Sequence, residues 1–309
     1  MTHKIAIVGV GKIARDQHLP AIAANSDFDL IATASRNAQV GGVAAYGNLQ
    51  SLLAAHDDVT CVSLCTPPQA RYDDARLALE AGRHVMMEKP PGATLSEVHD
   101  LIDLAAAKGL TLFTTWHSRH APSVAATRSW LADKVITRVD IQWKEDVRHW
   151  HPGQDWIWQA GGLGVFDPGI NALSVLTEIM PRGIFLSKAD LHFPENRDTP
   201  VAADLTFHDP GGAQVTGTFD WLHPGPPCWD IHIETTTGKA TLSEGGATLS
   251  MDGAAQEAGK ALIGEYPSLY VRFADLLAAG ESDTDLSPMR HVADAFTLGR
   301  RANVAPFEW

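Results

Sequence analysis

The sequence predicts an α/β protein of two domains. A doubly wound parallel sheet is expected over residues 1–118, and over 119–309 an α+β domain with an open, mainly antiparallel sheet. Three observations carry this. Short apolar runs alternate with helix-like stretches through the first third, the pattern of parallel strands joined by helical crossovers. A glycine-rich turn, Gly9-Val-Gly11, stands between the first apolar run and the first helix. After about Trp116 the alternation gives way to strand-like runs with glycines at turn positions.

The elements follow in order. Residues 5–9 read as a buried strand, 12–24 as a helix, 28–34 as a second strand and 49–55 as a short helix. A third strand over 59–65 is stopped by Pro67-Pro68. A helix over 72–81 is closed by Gly82, a common C-terminal cap. Residues 84–88 form a fourth strand, 95–108 a helix with Thr94 or Ser96 at its start, and 110–115 a fifth strand. In the second domain a helix over 121–131 leads to a strand over 135–143, hairpins occupy 235–250, and helices return at 269–279 and 289–301. Asp167-Pro168 opens an apolar helix over 172–180, with Asp as N-cap and Pro in the first helical position.

Composition narrows the function. The 309 residues suit two domains, and 45% hydrophobic with 20% charged residues is ordinary globular usage. Lys and Arg number 24 against 37 Asp and Glu, a formal charge of −13 that lacks the basic footprint of a nucleic-acid binder. The balance fits a small neutral substrate, and an anionic ligand would need local positive charge. No stretch approaches the roughly 18–20 apolar residues of a membrane span. The first strand begins at once, without a separate cleavable leader, so a cytoplasmic location is expected. Cys61 and Cys65 lie along one strand, about 13 Å apart, beyond the roughly 7 Å that a disulfide bridges, and are read as reduced thiols.

The motif Gly9-Val-Gly11-Lys12-Ile13-Ala14 fits G-x-G-x-x-[G/A], in the strand–turn–helix setting of a Rossmann dinucleotide site. One glycine makes the turn, another lets backbone approach a pyrophosphate, and Ala14 permits close packing, while the helix start offers N–H groups to phosphate. The second strand ends Ala34-Ser35-Arg36 with no carboxylate at its tip. A hydroxyl beside a guanidinium suits a 2′-phosphate, so NADP is the expected cofactor, with NAD still usable. Thr66, Pro67, Glu88 and Lys89, at strand ends of the same sheet, complete the cofactor set.

Glu88-Lys89-Pro90 at the end of a strand, with Thr66-Pro67-Pro68 before it, resembles the glucose-fructose oxidoreductase / inositol dehydrogenase / MocA (Gfo/Idh/MocA) family. Within it, Gly11-Lys-Ile-Ala-Arg-Asp-Gln-His-Leu-Pro20, Trp116-His117-Ser118-Arg119 and Trp143-Lys-Glu-Asp-Val-Arg-His-Trp-His-Pro-Gly153 resemble the bacterial L-arabinose and D-galactose 1-dehydrogenases. The resemblance implies NAD(P)-dependent oxidation of an aldopyranose at C1 to its lactone, and a cis bond before Pro90. Lys89 would bind substrate and stabilise negative charge on the C1 oxygen. The family's usual His at the position of Asn171 is absent, and Asn exchanges no proton at neutral pH. Asp167, one turn earlier, is therefore the candidate base, Lys89 the alternative, and Asn171 an orienting group. Glu145 and His151 are carried over as hydroxyl ligands.

Sugars present apolar C–H faces and rings of hydroxyls, so aromatic platforms beside polar groups suit them. Trp150, between His149 and His151, is such a platform and Trp229 another, while the remaining tryptophans of 143–158 are expected in the core. His117, after the fifth strand, is a further substrate candidate. His149-x-His151 lacks the third ligand of a metal site, and no metal is expected. An open, partly apolar second sheet would be covered by a second copy, giving a homodimer. Other polyol, inositol or keto-sugar chemistry, or a non-catalytic dinucleotide-binding regulator, are the competing readings.

Overall fold

The computed structural model describes residues 2–256 and 264–309. They form two units, one of Met1–His117 with Ile263–Leu286, the other of Ser118–Leu262 with Ser287–Trp309. Among the described residues no helix is long and apolar enough to cross a membrane.

The first unit is built on β1 (His3–Val8), β2 (Phe28–Ala34), β3 (Ala44–Tyr46), β4 (Cys61–Leu64), β5 (His84–Glu88) and β6 (Leu112–Thr115), in the order β3-β2-β1-β4-β5-β6. Every pairing is parallel. The inner strands are buried on both faces, which is why they read as continuous apolar runs. The order reverses between β1 and β4, and the carboxyl ends there are where such sheets hold ligands. The crossover helices are α1 (Leu19–Ala23), α2 (Leu49–Ala55), α3 (Arg71–Glu80) and α4 (Leu95–Lys108). Thr94, rather than Ser96, caps α4 in a reciprocal box with Glu97. The helix expected over 12–24 carries a π turn at Ala14–His18 before α1. Cys61, at the start of β4, and Cys65, just past its end, are free thiols, and burial pushes Cys61 up to about 12.

The second unit holds a nine-stranded sheet of β7 (Ile136–Lys144), β8 (Phe185–Pro194), β9 (Ala202–His208), β10 (Gln214–Asp220), β11 (Cys228–Thr235), β12 (Gly238–Ser243), β13 (Thr248–Met251), β14 (Ala254–Gln256) and β15 (Arg300–Val304). Its order is β14-β13-β12-β11-β7-β10-β9-β8-β15, antiparallel except at β7–β10 and β8–β15. Its helices are α5 (Val124–Leu131), α6 (Val147–Trp150), α7 (Phe166–Ile179) and α9 (Ser287–Leu298), with α8 (Glu265–Ala279) between the last two in sequence.

Four expectations are corrected. The chain does not divide once near residue 118, because α8 returns to the first unit. Its Tyr266, Leu269, Tyr270, Phe273 and Leu276 join Ile5, Ile7 and Phe28 in one core, with Phe273 stacked on Phe28 and Phe113. The last helix stops at Leu298, and Arg300–Val304 is a strand paired with β8. Helix α7 starts at Phe166 with Val165 as N-cap, so Asp167 and Pro168 lie inside its first turn rather than at cap and first position. The second sheet's face opposite its core is polar, not partly apolar: Asp140, Gln142, Thr216, Thr218 and Asp204 hydrogen-bond one another across β7, β10 and β9.

Candidate functional site

The turn after β1 is shaped by one glycine. Gly9 has φ +88°, and a Cβ there would stand 2.9 Å from the backbone N of Thr66 and 3.0 Å from the backbone C of Cys65. Only glycine combines that φ with such close approach of the β1 and β4 ends. Gly11 differs, since a Cβ built on it meets nothing within 4 Å. Its backbone borders open space at the start of the following helix, a cradle that fits a pyrophosphate. Ala14 is wholly buried, as its packing role requires, and Ile13 packs on the same core. The Lys12 ammonium is paired with Asp16. Ser35 is half-buried with its N–H donated to the Tyr46 carbonyl, and Arg36 is exposed beside it. Thr66 packs against Gly9, and Pro67 is exposed.

Glu88 ends β5, and Lys89 follows it. The Lys89–Pro90 bond is cis, as the family resemblance implies. Glu88 Oε2 accepts the Lys89 backbone N–H at 2.9 Å. Its Oε1 lies 2.9 Å from His18 Nε2 and accepts the Tyr266 hydroxyl at 2.7 Å. His18 Nδ1 is 2.8 Å from the Tyr270 hydroxyl. Burial pushes the Glu88 carboxyl up, but the hydrogen bond and charge of His18, the charge of His117 and the Tyr266 hydroxyl bring it down to about 2. Burial also works against a charged His18, and Cys65, Tyr270 and Glu88 outweigh it, raising the imidazole well above its ordinary value. Arg71, 2% exposed, donates to the carbonyls of Thr66, Glu88 and Pro90. His117 Nδ1 is 2.6 Å from Glu265 Oε2, and its ring stacks on Tyr266.

A pH dependence follows from Glu88. Its folded value lies below the ordinary carboxyl range, so its contribution is complete above pH ~4.3 and is lost as pH falls toward 2. His18, shifted upward, contributes fully below its ordinary value and loses that contribution only as pH rises through the folded one. Urea unfolding between pH 5 and 2 is expected to show about 3 kcal/mol of acid-side loss from Glu88. The loss should vanish in Glu88→Gln, and equal slopes for the two proteins would remove Glu88 as the source.

In the second unit, Asp167 is 5% exposed in the first turn of α7, and its Oδ2 lies 3.4 Å from His151 Nε2. Asn171 is half-buried one turn further on. Glu145, just past β7, is buried and accepts from Trp221 Nε1 at 3.0 Å and Trp229 Nε1 at 2.8 Å. Trp150 is 39% exposed, with its ring 5.5 Å from that of Trp229. Trp143 and Trp158 are core residues as expected, whereas Trp156 is only half-buried, its indole N–H donated to Gln154 Oε1 at 3.3 Å. The structure thus joins Glu145 to Trp229 and Trp150, and Asp167 to His151. His18, Arg71, Tyr266 and Trp221 were not singled out from sequence. Among the described residues no group of three or more His, Cys, Asp or Glu is placed to hold a metal ion.

Residues 3–115 match the family model described as an oxidoreductase family with an NAD-binding Rossmann fold (GFO_IDH_MocA). Over 306 residues, 98% of each chain, the sequence is 43% identical to a galactose 1-dehydrogenase of Pseudomonas fluorescens. The chain belongs to the Gfo/Idh/MocA oxidoreductase family. This Gfo/Idh/MocA protein is also similar to the crystal structure of a D-galactose-1-dehydrogenase protein from Rhizobium etli, with a TM-score of 0.95 and 57% identity over 99% of this chain and 98% of the other. A 3-ketoreductase from Actinomadura kijaniata, solved with NADP and TDP-benzene, matches 98% of this chain and 100% of its own at a TM-score of 0.83 and 19% identity, a likeness of fold alone. The Gfo/Idh/MocA cofactor is a nicotinamide dinucleotide, and the φ of Gly9 with the open space at Gly11 fits one.

Proposed function

We propose that this protein is an NAD(P)-dependent sugar 1-dehydrogenase that oxidises L-arabinose, D-galactose or D-fucose at C1 to the aldonolactone. The observation that carries the reading is its end-to-end likeness, through both units, to a D-galactose-1-dehydrogenase at 57% identity. The three sugars share configuration at C2, C3 and C4 and differ at C5. Ligands for the shared hydroxyls therefore accept all three, and local space decides among them.

A bound dinucleotide supplies the hydride acceptor for C1. Asp167 accepts the C1 hydroxyl proton, its carboxylate oriented by His151. The Lys89 ammonium hydrogen-bonds the C1 oxygen as negative charge develops there. Asn171 orients the C1 hydroxyl or ring oxygen. Glu145 holds both indoles and, as a carboxylate with about four acceptor positions, retains capacity for a sugar hydroxyl. His151 and His117 are further hydroxyl ligands, and Trp150 and Trp229 offer faces to sugar C–H groups. For the cofactor, Gly9, Gly11, Lys12, Ile13 and Ala14 form the phosphate turn, Thr66, Pro67 and Glu88 its flanks, and Ser35 with Arg36 the 2′-phosphate contact. The reading keeps the protein a cytoplasmic homodimer associated through the second sheet, by hydrogen bonds across its polar face and not by covering apolar surface.

Initial rates on the three sugars, on inositol and open-chain polyols, and on a keto-sugar in the reductive direction, with NADP⁺ and with NAD⁺, test this. Lactone formation from an aldose is expected, fastest with NADP⁺. Turnover confined to a polyol or keto-sugar, or dinucleotide binding without any turnover, would overturn it. Replacing Ser35 and Arg36 by Ala should weaken NADP⁺ at least about tenfold and NAD⁺ less than about twofold, measured by fluorescence titration. Equal losses for the two cofactors would contradict the phosphate assignment.

A further inference from the structure

Three groups from distant parts of the first unit converge on the short backbone that carries Lys89. His18 comes from the π turn behind the dinucleotide motif, an irregularity that is frequent at functional positions. Tyr266 comes from α8, more than 170 residues after β5, and donates to Glu88 from the first turn of that helix. Both meet Glu88 Oε1, while Oε2 of the same carboxylate takes the Lys89 backbone N–H. Arg71, at the start of α3, donates to the carbonyls of Glu88 and Pro90, the residues on either side of Lys89. Buried charged groups thus hold the peptide group that precedes Lys89 and the carbonyl of Pro90, the residue that follows it. Burial of such groups is costly unless all are paired, and a plain surface turn requires none of them.

We propose that His18, Tyr266 and Arg71 are positioning residues for Lys89. His18 and Tyr266 act through the Glu88 carboxylate, Arg71 through the flanking carbonyls. Together they set the direction from which the Lys89 ammonium meets the substrate oxygen. A charge-stabilising group works only when held in place before the reaction, so loosening its backbone lowers turnover more than binding. This rests on the reading of Lys89 as the group that binds the C1 oxygen.

Tyr266→Phe is the direct test, because it removes one O–H donor and keeps the ring that stacks on His117 and packs on His18. It is expected to lower kcat for aldose oxidation about tenfold, with KM changed less than about threefold and the NADP⁺ dissociation constant and thermal midpoint near wild type. Trinitrobenzenesulfonate labelling of Lys89, read by peptide mass mapping in the absence of sugar, is expected to rise severalfold. His18→Gln, which restores an N–H donor toward Glu88, should recover most of the kcat that His18→Ala loses. Unchanged kcat and unchanged Lys89 labelling in folded Tyr266→Phe would overturn the proposal, as would losses in kcat that merely follow losses in folded protein. If the wild-type protein oxidises no aldose, the functional reading fails on its own, and Lys89 labelling still decides whether the clamp sets the lysine.

Discussion

Asp167→Asn is expected to lower kcat for aldose oxidation by more than about a hundredfold, with the affinity for NADP⁺ within about twofold of wild type. The substitution keeps the volume and one carbonyl acceptor and removes only the capacity to take a proton. A helix cap would tolerate it, since Asn and Asp are nearly equivalent caps. Asp167 is not the cap residue, because α7 begins before it with Val165 as N-cap, and its carboxylate lies 3.4 Å from His151 Nε2. On the proposed reading this buried carboxylate, 3.4 Å from the His151 imidazole, is the group that takes the C1 hydroxyl proton. Pre-steady-state measurement of dinucleotide reduction, beside fluorescence titration of NADP⁺, separates chemistry from binding. A loss of only a few fold would move the base to Lys89.

Gly9→Ala should destabilise the protein by about 2–5 kcal/mol and abolish dinucleotide binding. The first part adds about 1–2 kcal/mol for an L residue held at left-handed φ to the cost of a methyl forced against backbone, itself about 1–3 kcal/mol. Neither Thr66 N nor Cys65 C can swing aside as a flexible side chain would. Gly11→Ala makes the contrast, since its methyl meets no protein atom. Its stability should stay within about 1 kcal/mol of wild type while dinucleotide binding falls at least about tenfold, the methyl occupying the approach to the pyrophosphate. Urea midpoints and dinucleotide titrations of the two variants together decide the matter. A Gly9→Ala protein as stable as wild type would show that the β1 and β4 ends can separate without cost.

Five of the six parallel strands of the first unit were legible, because burial leaves an apolar run bounded by glycine and proline, whereas β3, a three-residue edge strand with no buried residue, was missed. The destination of α8 was not legible. Apolar periodicity shows that a helix has a buried face but not which sheet covers it. Strand β15 was hidden for the opposite reason: Arg300 to Ala302 are exposed at a sheet edge and carry no alternation to read. Among site residues, Gly9 and Lys89 stood in motifs, whereas Arg71 and Tyr266 look like an ordinary charged helix start and an ordinary core aromatic. Their significance lies in partners far away in sequence, and no spacing rule records those. His18 lay inside a quoted motif, and a buried histidine after a phosphate-type turn was the one signal available. The second sheet's polar face shows the limit of composition, since alternation was visible but the hydrogen-bonded Asp and Thr lattice across β7, β9 and β10 was not.

The return of α8 to the first sheet has a consequence for anyone cutting this molecule. A fragment ending at residue 118 would contain every strand of the first sheet and the glycine motif, yet would leave Phe28, Phe113 and the β1 isoleucines without the ring-bearing helix that seals them. It would also strand the Glu88 carboxylate without its tyrosine. Grafting the nucleotide module onto another protein therefore requires two non-contiguous pieces of gene, or a circular permutant that splices 264–286 onto the first stretch. The recombination boundary is a property of packing, and a single crossover after the last strand falls in the wrong place.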